Sequence, residues 1–275
     1  MLLCPVRDCQ LGLVHEQRRL FCPSGHSFDI ARSGYINLLQ PQDRRSSQPG
    51  DSAAAVAARR RLHDRDVTSP NLRSIAEFLN PSASDVVLDA GCGDGFHLGT
   101  LATETGFDAH GIDISLPAVA AAARRYPACE WIVANADRII PYATNSFSIV
   151  MSITARMNTS EFHRVLRKDG RLLVAIPAPD DLIELRGKGR DRIERTVENF
   201  ATHFTLESQN RATTIADLDV AAIEDVLLSI YRPLQSQPAQ ATRVTFSLDL
   251  LLFKPTLPDL HFAEWVEPGV TTPNG

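Results

Sequence analysis

The chain has 275 residues, 44% of them hydrophobic and 22% charged, with a formal net charge of -5. That length holds one full α/β domain plus a small accessory module, and the composition is ordinary for a soluble globular protein. No apolar run approaches the ~20 residues that span a bilayer, and Met1-Leu2-Leu3-Cys4-Pro5 lacks the apolar core of a secretion signal, so no membrane partner is expected and the cytoplasm is the default location.

Charge and cysteine are unevenly spread. Through Ile75 the chain is net basic and the remainder net acidic, a pattern that suits either a front half meeting a polyanion or a solvated face. Five cysteines, an odd number, argue against a disulfide framework. Cys4-Pro5-x3-Cys9 and Cys22-Pro23-x2-His26 put two ligand pairs on tight turns a hairpin's length apart. This spacing predicts a Cys3His zinc site, with Leu11-Gly12-Leu13-Val14 and Arg19-Leu20-Phe21 as the connecting ribbon. So small a segment has little core of its own, and the metal would supply much of its folding free energy. Chance thiols beside a surface histidine are the bland alternative.

After a polar stretch, Pro49-Gly50-Asp51-Ser52 turns the chain and offers Asp51 or Ser52 as the N-cap of a helix over Ala53–Leu62. Its Arg59-Arg60-Arg61 triplet suits a phosphate backbone or an exposed helix face equally well.

Val86-Val87-Leu88-Asp89-Ala90 reads as a buried strand breaking into the turn Gly91-Cys92-Gly93-Asp94-Gly95. Glycines let the backbone bend sharply and approach a ligand. In a dinucleotide site such a turn meets a pyrophosphate, but here Asp89 and Asp94 flank it and would repel one. S-adenosylmethionine, with its ammonium and sulfonium, fits the acidic lining. A second strand ends at Asp113, twenty residues after Gly93, where a carboxylate can accept ribose hydroxyls. A third, Glu130–Ala134, runs into Asn135-Ala136-Asp137, where an amide or carboxylate can read an adenine edge. A structural glycine turn with Asp113 as a helix cap is the competing account.

Strands follow at Phe147–Ser152 and Leu172–Ile176, with a helix over Thr159–Leu166 and a turn at Lys168-Asp169-Gly170-Arg171 between them. Glu184–Arg195 is either a mobile lid or a solvated helix, the helix being the more frequent outcome for mixed charge. A strand over Phe204–Thr214, a helix over Asp217–Leu228 and an alternating antiparallel edge strand over Arg243–Phe253 complete the domain, and a loose tail follows Lys254. The order fits a class I methyltransferase: a Rossmann-like, seven-stranded α/β sheet carrying a small N-terminal zinc-binding module.

The sequence resembles the bacterial 23S rRNA (guanine-N1)-methyltransferases. The match is carried by Cys4-Pro5, Cys22-Pro23 and His26, Gly34-Tyr35-Ile36-Asn37-Leu38-Leu39, Pro49-Gly50-Asp51-Ser52 with Ala58-Arg59-Arg60, and Leu88–Gly95. The resemblance implies zinc on Cys4, Cys9, Cys22 and His26, and S-adenosylmethionine on Gly91, Gly93, Gly95, Phe96 and Asp113. It further implies a 23S rRNA hairpin as partner and a homodimer sharing an RNA cleft; some members protect ribosomes against macrolide-type antibiotics. It divides the chain into a zinc-binding RNA-recognition module (1–40), a linker and helical segment (41–80), the methyltransferase domain (81–255) and a flexible tail (256–275).

Three departures stand out. Arg156 and Met157 occupy the place of an Ala-Pro-Cys-like segment near the methyl donor. Asp181 replaces a histidine that touches the cofactor in relatives, and Ser229-Ile230-Tyr231-Arg232-Pro233 stands where relatives have a Met-Thr-Pro-type run. Asp137, Asp180 and Asp181 lie near strand ends where a base is needed, but each suits a cap or turn as well, so the sequence names no catalytic residue. A small-molecule methyltransferase with a purely structural knuckle, and an RNA-binding homologue without turnover, are the alternatives to an rRNA enzyme.

Overall fold

The computed structural model describes residues 1–44, 48–230 and 239–256. The expected loose tail beyond Thr256, and Tyr231-Arg232-Pro233, lie outside the described residues.

Strands β1 (Val14–Glu16), β2 (Arg19–Phe21) and β3 (Ser27–Asp29) form an antiparallel ribbon. β1 begins beyond the expected Leu11 because Leu11–Leu13 lie beside the amino terminus, with Cys4 N–H donating to Leu11 O at 2.8 Å and Leu13 N–H to Leu2 O at 2.9 Å. After β4 (Ile36–Asn37), helix α1 (Ala53–Asp64) starts where Ser52 Oγ accepts the Ala55 N–H at 3.2 Å, so Ser52 rather than Asp51 is the cap. Helix α2 (Ser69–Leu79), not foreseen, stops at Asn80 in the left-handed conformation.

The larger domain alternates β5 (Val86–Ala90), α3 (Phe96–Thr105), β6 (Asp108–Asp113), α4 (Leu116–Arg125), β7 (Glu130–Val133), β8 (Phe147–Ile153), α5 (Thr159–Val165) and β9 (Leu166–Pro177). It closes with α6 (Ile183–Arg186), α7 (Ile193–Phe200), β10 (Phe204–Leu218), α8 (Val220–Ser229) and β11 (Thr242–Pro255). The sheet runs β10-β11-β9-β8-β5-β6-β7-β4, with β11 antiparallel to both neighbours and the rest, from β9 to β4, parallel. This is the expected seven-stranded sheet with one addition: the N-terminal segment contributes β4 as an eighth strand, pairing Ile36 with Ile132 and Asn37 with Val133. Strand order reverses between β5 and β8, and ligands of open α/β sheets bind at the carboxyl ends beside such a reversal.

Three local expectations are corrected. The Lys168–Arg171 turn is absorbed into β9 as an irregularity, the pairing jumping from Phe147↔Leu166 to Ile149↔Arg171. Glu184–Arg195 is neither one helix nor a structureless lid, since α6 and α7 flank an exposed run over 187–192. β11 is an inner strand and β10 the edge: Leu250, Leu251, Leu252 and Phe253 are buried on both faces, while β10 alternates.

One core unites ribbon and domain. Leu2, Leu13, Leu20, Cys22 and Leu38 pack in the same cluster as Ile132, Tyr142, Phe147 and Phe253, where each large apolar side chain contributes roughly 1.5–3 kcal/mol. The amino terminus is stitched to the domain by Leu3 N–H to Pro141 O at 2.9 Å and Ala143 N–H to Met1 O at 3.0 Å. No described helix is long and apolar enough to cross a membrane.

Candidate active site and zinc centre

The two N-terminal knuckles converge. Cys4 Sγ and Cys22 Sγ lie 3.5 and 3.3 Å from His26 Nδ1, and Cys9 Sγ lies 3.7 Å from Cys22 Sγ. All four ligand atoms fall within 4.8 Å of one another. A tetrahedral zinc with Zn–S of about 2.3 Å and Zn–N of about 2.0–2.1 Å has ligand-to-ligand edges of roughly 3.5–3.8 Å, so the donor set fits that ion. A backbone hydrogen bond from Leu11 favours the Cys9 thiolate, lowering its pKa to about 6, whereas burial pushes Cys4 up to about 12. Bound metal would hold both as thiolates. Tight turns set the pairs, with Cys9 N–H on Val6 O at 3.1 Å and Gly25 N–H on Cys22 O at 2.9 Å.

At the sheet reversal, β5 ends in the glycine turn. Gly91 has φ +90° and faces the loop after β8, where a Cβ would run into that of Ala155. Cys92 N–H and Gly91 N–H both donate to Ile112 O, at 3.0 and 2.8 Å, fastening the turn to β6. Asp113 braces the turn from the other side: Oδ2 accepts Gly93 N–H at 2.9 Å and Oδ1 accepts Ser115 N–H at 2.8 Å. Burial still lifts Asp113 above the usual carboxylate range.

Asp89 has no such support. It is 1% exposed, its Oδ1 has no hydrogen-bond partner among the described residues, and burial followed by the neighbouring Asp113 charge pushes its pKa up to about 8. An orphaned, buried carboxyl beside a second acid suits a cationic ligand and opposes a diphosphate. S-adenosylmethionine therefore fits: Asp89 and Asp113 would supply negative charge and hydroxyl acceptors, and the bound molecule would supply the transferable methyl group.

The other expected contacts fare differently. Phe96 opens α3, but its ring stacks on His63 of α1 at 3.8 Å. Asn135 stands at the end of β7, yet its Nδ2 donates to Asp43 O at 3.0 Å and its Oδ1 accepts Asp137 N–H at 3.1 Å. Asp181 is drawn to β11: Oδ1 accepts Ser247 N–H at 2.9 Å and Oδ2 pairs with Arg186 at 2.5 Å. Of the departures, Arg156 lies 3.4 Å from Asp137 and Met157 packs on the core, while Asn158 Nδ2 ties the same loop to Ala136 O and Asp137 O.

The linker holds residues that the sequence reading missed. Ser115 Oγ donates to Asp51 O at 2.7 Å, laying the Pro49–Ser52 turn across the end of β6. The arginine triplet splits: Arg60 and Arg61 lie on an exposed helix face, whereas Arg59 is half-buried against the glycine turn. Arg59 Nη1 donates to Asp51 Oδ2 at 2.7 Å, Arg61 grips Asp225 of α8 through three bonds, and Arg60 lies 3.9 Å from Asp64. His63 is buried with Nδ1 2.8 Å from Thr68 Oγ1 and Nε2 3.9 Å from Asp94 Oδ1. Burial, then the charges of His97, Arg59 and Arg125, push its pKa to about 2, so it is a neutral ring. Asp51 lies before the Ser52 cap, outside the helical periodicity, so no spacing in the sequence announced its pairing with Arg59.

A glycine turn roofed by a linker, lined by carboxylates and set at the reversal of a seven-stranded sheet defines a class I, S-adenosylmethionine-dependent methyltransferase. A methyltransferase-domain family matches residues 87–173, and the family described as RlmA, N-terminal, a zinc ribbon, matches residues 2–47. A 23S rRNA (guanine(748)-N(1))-methyltransferase of Streptomyces fradiae is 35% identical over 238 residues, covering 82% of this chain and 83% of that protein. A Bacillus subtilis protein provisionally named 23S rRNA (guanine-N(1)-)-methyltransferase YxjB is 33% identical over 246 residues, covering 82% and 84%. The chain belongs to the 23S rRNA (guanine-N1)-methyltransferase family. For the fold alone, a solved Haloferax volcanii complex of the Trm112 methyltransferase activator with a provisionally titled methyltransferase matches with a TM-score of 0.52, at 18% identity over 74% of this chain and 96% of that one.

Proposed function

We propose that this enzyme transfers a methyl group from S-adenosylmethionine to N1 of a guanine in a hairpin of 23S rRNA. The observation that carries the reading is where the zinc knuckle sits. Pro5, Val6, Arg7 and Asp8 face Arg138 and Ile139, of the loop after β7, across a cleft of about 240 Å³. That loop leaves the same carboxyl edge of the sheet as the acidic turn, which favours RNA held against the knuckle presenting a base at that edge. Guanine N1 carries a proton and is hidden in a paired stem, so the base must be exposed and the proton lost around an in-line attack on the methyl carbon. The proposed cofactor site is Asp89, Gly91, Gly93, Gly95 and Asp113, with Phe96 bracing the turn from behind. Asp181, with both oxygens engaged, is not proposed as the base or as a cofactor contact. We further propose a cytoplasmic enzyme acting as a homodimer.

Transfer of labelled methyl from S-adenosylmethionine to 23S rRNA transcripts, followed by mapping of the modified nucleotide, tests the reading. Label at a single guanine N1 is the expected result. Label on small molecules only, or RNA binding without transfer, overturns it.

A further inference from the structure

The pocket around the glycine turn is acidic, yet S-adenosylmethionine carries one anion, the α-carboxylate of its methionine end. Asp51, Asp89, Asp94 and Asp113 would each repel that group unless a cation stands among them. Arg59 stands there. A Cβ built on Gly93 would be 3.5 Å from Arg59 Nη1, which places the guanidinium directly against the turn. Its charge also reaches Asp94 and Asp113, favouring their ionised forms, and disfavours protonation of His63 and His97. The nearby Arg125 is instead drawn to Asp64, at 2.8 Å.

Among the described residues, Arg59 is held in position without being saturated. Nη1 donates to Asp51 Oδ2 at 2.7 Å and Nη2 to Ser229 O at 3.1 Å, and its side chain remains 27% exposed. A guanidinium has five N–H donors in a fixed fork, so donors remain for a carboxylate approaching from the pocket. Because Asp51 is fastened to Ser115 at the end of β6, the arginine is aligned by the same turn that roofs the cofactor strand.

We propose that Arg59 anchors the α-carboxylate of the methyl donor, making the linker helix part of the cofactor-binding machinery. The proposal rests on S-adenosylmethionine being the cofactor, and the test separates the two. Titration calorimetry on the zinc-loaded full chain compares adenosylhomocysteine with S-adenosyl-3-thiopropylamine, which keeps the amine and lacks the carboxylate. The wild type is expected to prefer adenosylhomocysteine by on the order of tenfold or more, the size of a charge-assisted hydrogen-bonded contact. Arg59→Gln should reduce the preference to about threefold or less by weakening adenosylhomocysteine alone. Arg59→Lys, which keeps the charge but not the fork, should fall between.

Equal binding of both ligands by the wild type overturns the anchor and leaves the cofactor assignment standing. So does equal weakening of both in Arg59→Gln, the mark of a merely structural role. If Arg59→Gln does not fold, an Arg59→Lys ratio identical to wild type has the same force. Binding of neither ligand by the wild type overturns the cofactor reading as well.

Discussion

The zinc centre draws all its ligands from residues 4–26, whereas the proposed methyl-donor crevice would gather Asp51, Arg59, Asp89, Gly91 and Asp113 from a linker, a helix and two strand ends. The first needs only two tight turns and an ion to draw the thiols together. The second needs a completed sheet, because Asp89 and Asp113 become neighbours only when β5 and β6 pair, Asp89 opposite Gly111. They also differ in what they leave unsatisfied. The knuckles present a donor set with the spacing of a tetrahedron, ready for one kind of ion. The crevice holds a buried acid, Asp89, whose Oδ1 has no partner among the described residues, a cost that a bound cation would offset. Metal thus acts as folding free energy in one centre, and folding free energy is held back for binding in the other.

Removal of zinc should break the comparison most severely. Structural zinc binds with about 10–16 kcal/mol, and the ribbon shares its core with Ile132 and Phe147. Cys22→Ser or a strong chelator should therefore release the metal and lower the melting temperature of the whole chain, not of a detached module alone. Unchanged zinc content with unchanged melting sinks the assignment.

Next in size is a pair of glycine substitutions. Gly91→Ala forces a methyl into Ala155 and should cost about 1–3 kcal/mol while weakening adenosylhomocysteine binding at least tenfold. Gly25→Ala has the same left-handed strain, φ +83°, but open space around it, and should cost about 1 kcal/mol with cofactor affinity intact. Equal penalties from the two, by denaturant titration, would remove the distinction between a crowded turn and an open one.

The acid without a partner should show itself through pH. Asp89 is raised to about 8 when folded, so the folded state holds its proton over a range where the unfolded chain has lost it. That contribution to stability is fully present below the ordinary carboxylate value and is lost as pH rises through about 8. A cationic ligand favours the ionised form, so cofactor affinity should rise with pH towards about 8 and level off above it. About one proton should be released per cofactor bound at neutral pH, measurable by calorimetry in buffers of different ionisation enthalpy. Asp89→Asn should release none; release unchanged in that variant would assign the proton elsewhere.

The smallest effect is expected at Asn135. Its amide supports Asp43 O and the Asp137 turn, so Asn135→Ala should cost about 1 kcal/mol and alter adenosylhomocysteine affinity less than threefold. A tenfold loss of affinity at unchanged stability would instead make it an adenine contact.

Much of this was written locally in the chain. The ligand pairs at Cys4, Cys9, Cys22 and His26, the acidic glycine turn from Asp89 to Gly95 and the alternation of strands and helices are short-range patterns, set by residue chemistry and periodicity, and the structure reproduces them. What tertiary packing decided was which partner each polar group took. Asn135 and Asp181 lie near strand ends as expected, but the nearest unsatisfied groups were Asp43 O, Ser247 N–H and Arg186, and burial leaves no polar group free to wait for a ligand when a protein partner is in reach. Arg59 read as one of three interchangeable arginines, suited to a phosphate or to an exposed face, until α1 packed on α8 and α4 and turned it towards the glycine turn. Inner and edge strands likewise separate only once neighbours are chosen, because a strand's alternation reports which of its faces is buried and says nothing of who pairs with its edges.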